Sequence, residues 1–196
     1  MPYPSQEEVL RGDPLHDWID EHFLRADPFA FDQIGFRSSV KIISSSLDID
    51  PNGIFCTGSG AMGFSINPHK VENNALKRFN DGSDLDIALI SEVHFEAAWR
   101  DLRKAAQPST QPMDELVRDH INWQKKRFFD GAVMANKLLP ALSFGADWVA
   151  ASVRISEHIC RLLDREIDVE FWIYRDYWSL RNYIADGVTK CRKLVA

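Results

Sequence analysis

Polar and apolar side chains alternate along residues 84–90: Asp84, Leu85, Asp86, Ile87, Ala88, Leu89, Ile90. Successive side chains of a strand point to opposite faces. This run therefore predicts a strand with Leu85, Ile87 and Leu89 turned into a core and both carboxylates on the other side. The same period recurs at 167–174, with Ile167, Val169, Phe171 and Ile173 on one face and Asp168, Glu170, Trp172 and Tyr174 on the other. A shorter run, Ile54-Phe55-Cys56, predicts a third strand.

Helical spacing of apolar residues predicts helices elsewhere. Residues 14–25 place Leu15, Trp18, Ile19, Phe23 and Leu24 on one side, and 32–46 do so with Ile34, Val40, Ile42 and Ile43. Residues 92–105 space Val93, Ala97, Ala98 and Leu102 in the same way. Further helices are predicted over about 115–130, capped by Asp114, over about 146–164, and from Trp178 onward. The apolar stretch 131–153 contains Lys137, Pro140, Gly145 and Asp147, and reads as core helix, turn and core helix. The polar stretch 66–83 reads as a long loop with a helical turn around 71–79. Residues 107–112, QPSTQP, read as a hinge or linker. Together these elements predict an α/β (α+β) chain with a small mixed sheet and flanking helices. Residues 1–106 hold the N-terminal helices and two strands. Residues 107–196 hold a helical segment, the third strand and a closing helix, within the same compact domain.

Composition narrows the partners. The chain has 196 residues and a formal net charge of −6, which argues against sequence-blind nucleic-acid binding. Cys56, Cys160 and Cys191 lack zinc-ligand spacing and read as idle thiols of a reducing compartment. The first ten residues lack the basic start and apolar run of a signal peptide. No membrane span is expected, and the cytoplasm is the expected location.

The candidate chemistry lies between residues 54 and 90. Asp84 and Asp86 share one face of a strand, where two like charges repel unless a cation lies between them. A hard, oxygen-seeking divalent ion such as Mg²⁺ suits such a pair. Upstream, Thr57-Gly58-Ser59-Gly60 follows directly on a strand. Glycines there allow close backbone approach to a phosphate, which free N–H groups and a hydroxyl can grip. No Lys-Ser or Lys-Thr pair follows, so this is not a P-loop.

A strand ending in Gly58-Ser59, a further glycine at Gly63, and then Ser83-Asp84-Leu85-Asp86-Ile87 resembles the polymerase β-like nucleotidyltransferase superfamily. The resemblance covers residues 54–90, under a fifth of the chain. It implies transfer of a nucleoside monophosphate from an NTP, with ATP the first candidate, assisted by Mg²⁺ or Mn²⁺. Asp84 and Asp86 would hold the metal, and Gly58, Ser59 and Ser83 would contact the nucleotide. The family also uses a third carboxylate on a later strand, as metal ligand or base. Glu170 and Asp168 are the candidates here, with Glu170 deeper in its strand.

Twenty-four residues separate Ser59 from Asp84, about twice the family's usual gap. The surplus resembles an insertion over 67–81 carrying His69, Lys70, Lys77 and Arg78. The aromatics Trp172, Tyr174, Tyr177 and Trp178 read as core rather than as a platform for a base. The resemblance implies a hydroxyl acceptor on a protein or an RNA, with small stand-alone members resembling partners in toxin–antitoxin or phage-defence systems. The acidic balance suits a protein acceptor better than RNA. Two other readings stay open: a catalytically silent interaction module of the same fold, and a transferase acting on small molecules such as aminoglycosides.

Overall fold

The three strands predicted from the sequence lie side by side. The structure, a computed structural model, describes residues 3–107 and 115–195. The helical spacing near the N-terminus yields α1 (Gln6–Arg11), α2 (Leu15–Ile19), which runs on as one wider π-turn over Asp20–Leu24, and α3 (Gln33–Leu47). Strand β1 (Ile54–Thr57) follows and gives way at once to α4 (Gly58–Met62). A hairpin of β2 (Val71–Glu72) and β3 (Ala75–Leu76) precedes β4 (Leu85–Ile90) and α5 (Glu92–Ala105). The rest comprises α6 (Glu115–Phe129), β5 (Ala132–Met134), α7 (Gly145–Leu163), β6 (Val169–Tyr174) and α8 (Tyr177–Val195).

The main sheet has the order β1-β4-β6-β5. Strands β4 and β6 are parallel, while β1 and β5 run antiparallel to their neighbours. This is the small mixed sheet with flanking helices expected from the sequence. Because β6 pairs with β4, one sheet takes strands from both sides of the 107–112 stretch. That stretch lies almost wholly outside the described residues, as does the predicted cap Asp114.

Leu85, Ile87, Leu89 and Ile173 are fully buried, and Phe171 is nearly so, as the alternation requires. Burying each such side chain contributes about 1.5–3 kcal/mol. On the opposite face α8 covers the upper half of the sheet, where Tyr183 packs against Trp172 and Tyr174 with ring centroids 5.7 Å apart in each pair. The lower half of that face carries the carboxylates.

Several local expectations are corrected. Residues 71–76 form a hairpin instead of a helical turn, with Asn73 and Asn74 at positive φ in its bend. Asn tolerates that conformation better than most residues, which favours a tight turn here. The 131–142 segment is not a core helix. It is the strand β5 followed by a 3₁₀ turn over Asn136–Ala141. Gly131 at φ 74° ends the preceding helix and turns the chain into the sheet. Ile34 and Val93 are exposed, and Gly35, Ser39, Ile43 and Leu47 supply the buried side of α3. Tyr177 and Trp178 are exposed as well, so only Trp172 and Tyr174 of the aromatic cluster are core.

Candidate active site

The site is set by strand register. Asp86 stands directly opposite Glu170 on the parallel pair and opposite Thr57 on the antiparallel one. Register partners project from the same face, so the second aspartate and the third carboxylate are neighbours. Asp84 lies just ahead of β4, and Asp168 just ahead of β6, where its carbonyl accepts from the Leu85 N–H at 2.8 Å. Asp168 is exposed and Glu170 half-buried. Of the two candidates it is therefore Glu170 that the fold sets beside Asp86, with Asp168 at the mouth.

Asp86 is held from two sides. The Trp172 indole Nε1 donates to its Oδ1 at 3.1 Å. Its Oδ2 lies against the α-carbon of Gly58, where an added Cβ would come within 2.3 Å. Gly58 also has φ 61°, a left-handed conformation that glycine adopts without strain. The Gly-Ser bend thus abuts the aspartate strand, and no side chain fits between them. Ser59 is half-buried in α4, and its carbonyl accepts from Gly63 N–H, which closes the helix at a second left-handed glycine. Ser83 closes the turn ahead of β4, since its Oγ accepts from the Asn80 N–H and its own N–H bonds the Asn80 carbonyl.

The crowded negative charge shows in the titration. Burial, then the Glu170 charge, then Asp84, push the Asp86 carboxyl up to about 7, against a downward pull from the Trp172 donor and Lys70. Burial, then Asp84, raise Glu170, with Asp168 adding to the rise while Lys137 and Lys70 oppose it. The Lys70 ammonium is 3.5 Å from Asp84 Oδ2.

An oxygen-only donor set with unbalanced negative charge suits a hard divalent cation. Asp84, Asp86 and Glu170 therefore fit such an ion by chemistry and by charge. Their spacing is looser. Among the described residues, no three His, Cys, Asp or Glu side chains stand close enough together to cage a metal as they are. Asp84 is engaged by Lys70.

Beside Glu170 opens a cleft of about 880 Å³ lined by Asn136, Lys137, Ser156, Arg161 and Asp168, among others. Asp84, Asp86, Gly58 and Ser59 are not among the residues lining it. Of the other cations on the insertion, His69 and Arg78 are exposed, and Arg78 sits 5.6 Å from the Phe64 ring. Sequence reasoning missed three contributors. Alternation placed Trp172 on the carboxylate face but gave no sign of its hydrogen bond. Asn136 bonds both the Val169 carbonyl (2.9 Å) and the Phe171 N–H (2.6 Å), bracketing Glu170. Lys137 acts on Glu170 from the adjoining position. A polar pair inside a run otherwise apolar, Asn136-Lys137, was the available signal.

Compared with protein-family models, curated proteins and solved structures, the chain matches none significantly. Among the described residues no helix is long and apolar enough to cross a membrane.

Proposed function

We propose that this chain is a metal-dependent nucleotidyltransferase that moves a nucleoside monophosphate from an NTP, ATP first among the candidates, to a hydroxyl on a protein. The observation carrying this reading is the register of Asp86 against Glu170, with Gly58 packed against Asp86. It supports a single locus formed by the Gly-Ser bend, the aspartate pair and the third acid.

Asp84, Asp86 and Glu170 would hold Mg²⁺ or Mn²⁺, which when bound neutralises charge on the triphosphate and on the attacking and leaving oxygens. The residues of the chain do the positioning. The Trp172 indole fixes the Asp86 carboxylate, Gly58 lets the bend pack directly against it, and the Ser59 hydroxyl would contact the nucleotide. Glu170, whose affinity for a proton is raised, takes the proton of the acceptor hydroxyl. The acceptor oxygen bonds to the α-phosphorus, and pyrophosphate leaves. A chain of net charge −6 suits a protein acceptor better than an RNA one.

The test is incubation of the purified chain with cell extract, Mg²⁺ or Mn²⁺ and each α-labelled NTP. Label is expected in a protease-sensitive product, and not with the Asp84→Asn, Asp86→Asn double variant. Equal labelling by both would remove the metal role, and a nuclease-sensitive product would make the acceptor RNA. One observation favours a silent interaction module instead: Asp86 already has an indole donor and Asp84 a lysine. Co-purification of a partner with no incorporation from any NTP would select that reading.

A further inference from the structure

The insertion over 67–81, for which the two-part motif has no use, is a built element. Its ends are tied together: the Ser65 N–H bonds the Lys77 carbonyl, and the Phe79 N–H bonds the Gly63 carbonyl. Within it, Asn67 Oδ1 accepts from the His69 N–H and begins a 3₁₀ turn over Pro68–Lys70. The hairpin that follows is pinned by buried Leu76, whose N–H bonds Gln6 Oε1. Lys70 therefore leaves a fixed backbone at the junction of turn and hairpin, and its ammonium reaches Asp84.

Resting on the nucleotidyltransferase reading above, we propose that Lys70 is a tethered counter-ion, which occupies Asp84 in the unloaded chain and must be displaced when a divalent cation binds. Both side chains are 43% exposed, so the exchange is open to solvent. A lysine is a compact point charge on a flexible stem, suited to leaving. Ion pairs this exposed are weak, too weak to resist a divalent ion. Lys70 is a positioning residue: it holds the Asp84 side chain until the cation takes over, and its departure frees that carboxylate.

The experiment titrates Mn²⁺ into the full chain, reading free Mn²⁺ by electron paramagnetic resonance. Lys70→Met is expected to bind Mn²⁺ about two- to fivefold more tightly than the native chain, the factor that loss of such a pair predicts. Lys70→Arg should restore native affinity, and Lys77→Met, a matched charge loss elsewhere on the insertion, sets the background. Adding Asp84→Asn should abolish the difference between Lys70 and Lys70→Met. If Lys70→Met binds no more tightly than Lys77→Met, the counter-ion role is overturned while the transferase reading stands. If native chain binds no Mn²⁺, with or without ATP, both fall.

Discussion

The two faces of β4 and β6 are made by alternate residues of the same strands, yet they obey opposite rules. On one, Leu85, Ile87, Leu89, Phe171 and Ile173 are buried with nothing polar to satisfy. On the other, Asp86 and Glu170 face each other in register and are both driven toward protonation. The first face stabilises the fold. The second weakens it, because close carboxylates repel and lose hydration. Function is best sought where a sheet accepts such a cost, and here the cost is concentrated opposite a backbone bend that admits no side chain.

Changes confined to one face sharpen this contrast. The largest effect is expected for Glu170→Gln. Turnover should fall by about 10²–10⁴-fold while nucleotide affinity stays close to native and the unfolding midpoint rises, because a charge facing Asp86 is removed. Steady-state kinetics with a nucleotide-binding titration check this, and an unchanged turnover would pass the base role to Asp168 or remove it.

Next comes pH. The folded Asp86 keeps its proton up to about 7, against 3.8 for a free carboxyl. Between those values the folded state binds more protons than the unfolded one, so stability falls as pH rises through this window. Metal-free native chain should lose about 3 kcal/mol relative to Asp86→Asn between pH 4 and 7, measured by denaturant unfolding. Glu170, also raised, acts with the same sign in both proteins. A difference that stays constant with pH would break the contrast. The smallest effect belongs to the apolar face: Ile87→Val should cost about 0.5–1.5 kcal/mol in the same assay and leave turnover untouched.

Much of this was legible in the sequence because it is periodic. Strict alternation marked β4 and β6 and sorted their residues to the right faces, including the acids. Helical spacing located α3, α5, α7 and α8 to within a few residues. The Asp84/Asp86 pair and the Gly58 bend were visible as motifs, but their adjacency was not, since it depends on antiparallel pairing of β1 with β4. The sequence favoured Glu170 over Asp168 only by its depth in the strand; that Glu170 stands beside Asp86 depends on the register of two strands some eighty positions apart, which no local pattern encodes. Strand β5 was missed because three apolar residues within a longer apolar run do not distinguish strand from helix. The hairpin over 71–76 was missed because its two-residue strands are too short to show a period, although Asn73-Asn74 carried the turn signal.

The twofold grip of Asn136 on β6 has a consequence for how the chain behaves in company. Strand β5 is only three residues long and pairs with Trp172, Ile173 and Tyr174, so β6 continues past it with an outer margin open beside Glu170. The Asn136 amide and the Ala135 N–H occupy that margin as a short mock strand. An extended segment of another molecule would have to displace these bonds to the Val169 carbonyl and to both main-chain groups of Phe171 before it could pair there. Glu170 thus sits on a stretch of sheet whose outer margin is already partly occupied, while its own side chain lines the cleft.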